Sequence, residues 1–347
     1  MGSQFLHLLS LHPLSAYSVF VHRYRDLDPN IRSECVRAIG LWFKKYPGHF
    51  LDGAYLRYVG WVLSDSTTQV RLEAVKALAG VYEQMDYIGS LNHFTERFKP
   101  RLIEMATGDT ELGVRVAVIQ VLEAIDGHSL LEDEEREKLC LLVFDEEAKV
   151  RKAVSGFVRG VWDDSVDARL IGRNKPSKED RERAGVKALA MLLVKWGKVL
   201  DMIVGESDED KDGVDEEGNV GDGNSRPSRK EVAALIAKDQ RGRMALAVEA
   251  LWDEVEPVSD WDGLLDVLLL DHSAAGVDDD VQGGSRGRRA RANGKVNVQD
   301  SAVDEVWRLE EVEETVLLEV LVAALRRAKM EVGSKKVSRV LSVHAIL

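Results

Sequence analysis

Along the first half of the chain, apolar residues return at the spacing of a single helix face, four times with the same offsets. One series is Val70, Ala74, Ala77, Leu78 and Val81. The others are Ile31, Cys35, Ala38, Ile39 and Trp42; Val114, Val118, Val121, Leu122 and Ile125; and Val150, Val154, Phe157, Val158 and Val161. Offsets of 0, 4, 7, 8 and 11 trace one side of an α-helix. Each series opens on a Val/Ile-Arg pair, and an aspartate (Asp26, Asp65, Asp109 or Asp145) stands five residues ahead of it. An aspartate at that place can accept hydrogen bonds from the free N–H groups of the helix start. The arginine is placed to meet an aspartate, its own or a neighbour's.

The Val/Ile-Arg pairs are roughly 36 to 44 residues apart, the period of HEAT-type helical hairpins. A single hairpin cannot bury its apolar face, so the pattern predicts stacked hairpins with a continuous core. The fold expected is all-α: a HEAT-type α-solenoid of stacked helical hairpins with two disordered inserts. Residues 1–15 read as a leader, 16–165 as HEAT repeats and 166–347 as further helical repeats. Helices are predicted over 16–25 and 28–45, 54–63 and 67–84, 94–107 and 110–126, and 133–144 and 147–162. Beyond Asp163 the repeat weakens, and helical patterning continues over 178–200, 228–252, 259–271 and 301–330. The inserts are expected at about 205–227 and 273–300, where composition turns polar, glycine-rich and charged. The chain stops soon after a new pattern begins near Val337 without a polar cap, which reads as part of a longer repeat protein.

Charge changes this picture locally. The net charge is −13, yet residues 201–222 alone hold ten acids against one lysine, and residues 22–101 hold twelve Lys/Arg against nine Asp/Glu. The front end is therefore basic within an acidic chain. Cys35 and Cys140 fall on apolar helix slots and read as buried free thiols of a reducing compartment. The apolar opening lacks a basic n-region and is broken by His12 and Pro13, so it does not read as a signal peptide. No apolar run is long and pure enough to span a bilayer, and the expectation is a soluble intracellular protein with no membrane partner.

Catalytic motifs are absent: there is no HExxH, GxSxG, GxxxxGK[ST] or CxxC, and the histidines do not cluster at metal-ligand spacing. No enzyme activity, cofactor, metal or small-molecule substrate is expected. Asp208-x-Asp210-x-Asp212-Gly213 imitates the start of a calcium loop, but its twelfth position is Asn219 in place of a glutamate. The Arg286–Arg291 run reads equally as a nucleic-acid patch or as a solvated loop.

Trp61 stands out. Leu56, Val59 and Leu63 set the core side of its helix, and the indole lies about 160° from the middle of that stripe. It either packs on another element or awaits a partner. Two stretches mix aromatic and cationic residues, His22-Arg23-Tyr24-Arg25-Asp26 and Phe94-Thr95-Glu96-Arg97-Phe98-Lys99. They read as solvated helix faces or as a peptide or nucleic-acid groove, with Phe94 favoured as core. Arg23, Arg25, Arg57, Arg97, Lys99 and Arg101 are placed to track phosphates without reading bases.

The blocks HRYRD, FLDGAYLRYVGW and SDSTTQVRLEAVKAL, followed by HFTERFKPRLIEM, closely resemble the stromalin conservative domain of the stromal-antigen subunits of cohesin. The likeness is strong over about residues 18–105 and extends by repeat phase to about 162. It implies a non-catalytic, nuclear, chromosome-associated scaffold for sister chromatid cohesion. Its partners would be the kleisin and other cohesin subunits, and it would contact DNA without sequence preference. The family also presents this surface to aromatic motifs of shugoshin-like and insulator-type regulators. Carried over by position, that pocket would use Tyr24, Trp61, Arg97 and Phe98, with Arg57 nearby. Arg23, Arg25, Lys99 and Arg101 are left as the DNA-contact candidates. Gly53 stands where animal members carry an acid, with Asp52 beside it. Without the resemblance, the repeat alone equally fits an adaptor in trafficking or nuclear transport.

Overall fold

The computed structural model describes residues 20–51, 53–171, 175–209, 242–270, 272 and 307–344, with the side chains of 204–209 and 331–344 outside the description. The leader, the expected insert at about 205–227 beyond residue 209, all of the expected insert at about 273–300, the calcium-loop imitation and the Arg286–Arg291 run lie outside the described residues.

Among the described residues all regular structure is helical. After a helical turn at 20–23, the elements are α1 (Pro29–Lys45), α2 (Pro47–Phe50), α3 (Gly53–Val62), α4 (Thr68–Tyr82), α5 (Ile88–Gly108), α6 (Leu112–Gly127) and α7 (Asp133–Cys140). They continue as α8 (Ala148–Leu170), α9 (Lys178–Glu209), α10 (Arg243–Leu251), α11 (Glu256–Ser259), α12 (Trp261–Leu268) and α13 (Glu311–His344). Over the described residues the expected helices appear in this order; residues 16–19, 228–241 and 301–306 of the expected helices lie outside the description. One difference is α5, which starts at Ile88 and not near residue 94. Leu91 explains the added turns, because it is fully buried and anchors them.

The chain divides into two compact units, Met1–Val161 with Lys195–Val255, and Trp162–Val194 with Glu256–Leu347. The described parts of the first unit's second segment are residues 195–209 and 242–255.

In the first unit, the second helices of successive hairpins, α1, α4 and α6, pack in series as one layer, and α3, α5 and α7 form the other. Every apolar slot of the α4 series is buried. Gly40 of α1 lies so close to Ala77 of α4 that an added Cβ would come within 2.9 Å of the alanine methyl, so this seam depends on glycine.

The repeated aspartate and arginine stitch these layers together. Arg32 donates through Nε and Nη2 to the two carboxylate oxygens of Asp65 at 2.7 and 2.8 Å. Arg71 grips Asp109 in the same forked way at 2.8 and 2.8 Å, and Arg115 meets Asp145. Each arginine thus reaches the aspartate of the following repeat. Toward its own repeat it donates to backbone: Arg32 to the Asp26 carbonyl at 2.8 Å, Arg71 to that of Asp65 at 3.0 Å, and Arg151 to that of Asp145 at 2.7 Å. The aspartates do not bond the free N–H groups inside the helix. They accept the N–H two residues on, at Asp28, Thr67, Glu111 and Glu147. For the first three, that residue is the helix N-cap. Both oxygens of Asp65, Asp109 and Asp145 still reach the neighbour's guanidinium, so one carboxylate fixes the turn and the stacking together.

Arg151 is the fully buried last rung, and the sequence offers it no fifth aspartate. Its Nη2 instead donates to Glu249 of α10 at 2.5 Å, from a helix that packs on the Leu141–Phe144 turn. That rung ties α10 to the end of the ladder.

Burial alone would raise the Asp65 carboxyl, but the Arg32 guanidinium, the Thr67 N–H and the charge of Arg71 outweigh it and hold it below its usual value. A carboxylate depressed in the folded state stabilises above its unfolded pKa of about 3.9, and that gain is lost as pH falls through the folded value. The denaturation midpoint is therefore expected to stay flat from about pH 7 to 5 and to fall below about pH 4, and substituting Asp65 by Asn should shrink that acid dependence. Denaturant titrations across pH check this.

In the second unit, Ala184, Trp307, Val166, Leu170 and Leu270 pack together. The Trp162 indole N–H donates to the Gly185 carbonyl at 2.9 Å, and buried Glu313 receives Lys187 at 2.5 Å. Both cysteines are free and buried. Burial pushes the Cys35 thiol up to about 11 and raises that of Cys140 as well, so neither is primed as a nucleophile.

Candidate functional site

The site grows from the C-terminal half of α3. Buried Leu56, Val59 and Leu63 fix the inward face of this helix, and Trp61 points away from them at 37% exposure. The ring is neither core nor isolated. Tyr24 lies near-parallel to it with centroids 6.4 Å apart, and Tyr58 meets it edge-on at 5.6 Å. Tyr24 and Tyr58 are themselves buried and 4.8 Å apart. The aromatic contacts continue inward through Phe20, 5.6 Å from Tyr58, to Trp42 at 6.1 Å and then Phe50 at 5.0 Å. Trp61 is the exposed end of a rigid aromatic row.

Two guanidiniums cover that end. Arg57 sits 5.1 Å from the indole and Arg25 sits 5.6 Å from it, within cation–π range. Arg25 also lies over Tyr24 at 5.2 Å, and Arg97 over Phe98 at 5.4 Å. Arg25, Arg57 and Arg97 are exposed, and among the described residues none has a carboxylate at ion-pair distance. Cations held on aromatic faces with their donors turned to water are ready to meet an anion.

Phe98 is buried, and Gly60 is the reason it fits. A Cβ on Gly60 would come within 2.3 Å of the Phe98 ring, so the ring lies against bare backbone of α3 beside Trp61. The carried-over set is thus divided: Trp61, Arg57 and Arg97 face solvent, while Tyr24 and Phe98 support from below. Asp52 lies outside the described residues. Sequence reasoning missed Tyr58, Gly60 and the role of Arg25 at the indole. An aromatic one helical turn before Trp61 and a glycine in mid-helix were the available signals.

The DNA-contact candidates separate more sharply. Lys99 is 8% exposed, bonded to the Leu130 carbonyl at 3.1 Å and paired with Glu135 at 2.6 Å. It joins α5 to the next repeat and offers no phosphate a free ammonium. Arg101 bonds the Leu63 carbonyl at 3.1 Å and Glu104 at 2.9 Å, and is three-quarters covered. Arg23 is exposed but paired with Asp26 at 2.6 Å. Among the described residues, only Arg25 of the four is both exposed and without an acid partner.

Beside the indole opens a depression of about 470 Å³, lined among others by Tyr24, Arg25, Leu27, Arg32, Trp61 and Asp65. Its two acids, Asp26 and Asp65, are already engaged by Arg23 and Arg32. Leu27 stands on its rim almost fully exposed. The arrangement suits an aromatic or aliphatic side chain that enters beside the indole with a carboxylate nearby. Among the described residues no group of three or more His, Cys, Asp or Glu is set to hold a metal ion, and no helix is long and apolar enough to cross a membrane.

Residues 25–99 match the family model of the stromalin conservative domain. Over 153 residues the chain is 43% identical to cohesin subunit psc3 of Schizosaccharomyces pombe, which is 44% of this chain and 16% of that protein. It is 37% identical over 140 residues to sister-chromatid cohesion protein 3 of Arabidopsis thaliana, covering 40% of this chain and 13% of that one. Against cohesin subunit SCC3 of Saccharomyces cerevisiae it is 39% identical over 133 residues, 37% of this chain and 12% of that one. The matches thus span about a sixth or less of these relatives' lengths. Among solved structures, cohesin subunit Scc3 from Z. rouxii aligns with 22% identity and a TM-score of 0.36, covering 72% of this chain and 34% of that one.

Proposed function

We propose, on the premise that this chain is a stromalin-type cohesin subunit, that it serves as a non-catalytic regulatory scaffold of a nuclear, chromosome-associated complex. Its HEAT repeats join the other cohesin subunits, the kleisin among them. The surface around Trp61 receives aromatic-motif segments of regulatory proteins, of the shugoshin-like or insulator-type class. The observation that carries this reading is a partly exposed indole on a buried aromatic row, capped by two guanidiniums that have no acid partner among the described residues. Such a post suits a peptide that brings an aromatic ring and a carboxylate together. The trafficking-adaptor alternative rested on the repeat alone, and the stromalin match favours the cohesin role over it.

DNA is a second ligand of the same scaffold, held through phosphates. The cations available to it are Arg25, Arg57 and Arg97; Lys99 and Arg101 are engaged inside the fold. Duplex binding, read by fluorescence anisotropy, is expected to weaken steeply with salt and to show little sequence preference. Each of Arg25→Gln and Arg97→Gln should lower the slope of log affinity against log salt by about 0.9 if that side chain meets one phosphate. Affinity independent of salt would overturn the phosphate reading. A peptide with the aromatic ring and carboxylate should bind the native chain in the same assay, and lose binding when its ring is replaced by alanine.

A further inference from the structure

Of the cations read from the sequence as phosphate contacts, the fold retires Lys99 and Arg101, which hold Glu135 and Glu104 and backbone carbonyls, and Arg23, which holds Asp26. Arg25, Arg57 and Arg97 remain, exposed and with no carboxylate at ion-pair distance among the described residues. A phosphate backbone that approaches this face meets those three first.

The same three dress the indole. Arg25 lies 5.6 Å from the Trp61 ring and 5.2 Å from that of Tyr24, while Arg57 lies 5.1 Å from Trp61 and 5.8 Å from Tyr58. Arg97 lies over Phe98, whose ring rests against Gly60, the residue before Trp61. A strand whose phosphates engage Arg25 and Arg57 together therefore passes over the indole. A peptide whose aromatic side chain covers the indole sets its own carboxylate on the same donors. Both ligands are anionic, so joint occupancy would also place phosphate beside carboxylate, where like charges repel. The nearby acids do not relieve this, because Asp26 and Asp65 stay with Arg23 and Arg32.

We infer that the Trp61 surface works as a switch: an aromatic-motif peptide and DNA bind it in mutual exclusion, so a regulatory segment that docks on the indole releases the DNA held there. This rests on the proposal above that both are ligands of this surface. It adds that they draw on the same guanidiniums, and by linkage each weakens the other by the same factor.

Fluorescence anisotropy of a labelled duplex on the 347-residue chain, at one low salt concentration, tests this with a synthetic peptide that carries a phenylalanine followed by an aspartate. At about ten times its own dissociation constant, the peptide should raise the apparent duplex dissociation constant about elevenfold, and the shift should keep growing in proportion to peptide. The same peptide with alanine for phenylalanine keeps its charge and should displace nothing, which separates docking on the indole from added ionic strength. Trp61→Ala should hold the duplex within about threefold of the native affinity and lose the displacement, because the cations remain while the aromatic platform is gone. A shift that levels off, no shift at all, or displacement that survives Trp61→Ala would overturn the inference, since the two ligands would not be sharing the indole's guanidiniums. Failure of the underlying proposal looks different. The peptide alone would not bind, or a chain with both Arg25→Gln and Arg97→Gln would hold the duplex as tightly as the native one, through other cations such as exposed Lys44 and Lys45 of α1; either result would take the inference with it.

Discussion

Replacing Asp109 by alanine is expected to lower the unfolding free energy by about 3–5 kcal/mol, the cost of orphaning one member of a buried ion pair. Asp109 carries both forks of Arg71, and the two side chains are only 3% and 9% exposed. Without the carboxylate, the Arg71 guanidinium keeps its bonds to the carbonyls of Asp65 and Ser66 but loses its only charged partner among the described residues. The turn before α6 loses its brace at the same time, because Asp109 also accepts the Glu111 N–H at 3.0 Å. Asp109→Asn keeps size and that acceptor while removing the charge, and should fall between native and alanine. The Arg23–Asp26 pair supplies the contrast: Arg23 is exposed, and breaking the pair should change stability far less. Urea titrations followed by circular dichroism separate these cases. A loss below about 0.5 kcal/mol for Asp109→Ala would mean that the ladder does not hold the repeats in register.

Replacing Trp61 by alanine is expected to weaken an aromatic-motif peptide by about 2 kcal/mol, near thirtyfold. The indole supplies the flat surface, and it also organises Arg25 and Arg57, which lie within 5.6 and 5.1 Å of it. The stability cost should be near 1 kcal/mol, from the lost stacking on Tyr24 and Tyr58. That exceeds what the outward angle of Trp61 alone implies, because the sequence does not reveal the two tyrosines beneath the ring. Comparing peptide titrations with thermal melts of the same variant gives both numbers. A melting point that collapses as it would for a core residue, with no selective loss of peptide, would place Trp61 among the supports.

The ladder and the apolar series were legible because HEAT hairpins repeat their offsets, so four copies corroborate one another. The partner of each arginine was not legible. Spacing permits Arg71 to meet Asp65 or Asp109, and only the stacking of α4 on α6 selects the carboxylate of the next repeat. Lys99 and Arg101 misled for a related reason. A cation near an aromatic reads as surface, yet α5 is covered on more than one side and buries Thr95 and Lys99 as well as Phe94 and Phe98. These polar groups find their partners at Tyr82, Glu135 and the Leu130 carbonyl, none of them near in sequence to Lys99. The orientation of Trp61 was readable because one helix sets it. The surroundings of Trp61 were not, since they come from the 20–24 segment, from Tyr58 and from the gap at Gly60 that admits Phe98. The partner of Arg151 was hidden because Glu249 lies on α10, a helix with no repeat signature.

The central claim is that the Trp61 indole is the surface a partner touches. The most direct test follows its N–H resonance, assigned by comparison with Trp61→Phe, while an aromatic-motif peptide is titrated into the native chain. The account predicts that this signal moves with the binding isotherm while those of buried Trp42 and Trp196 stay in place. Saturable binding that leaves the Trp61 signal unmoved would contradict it.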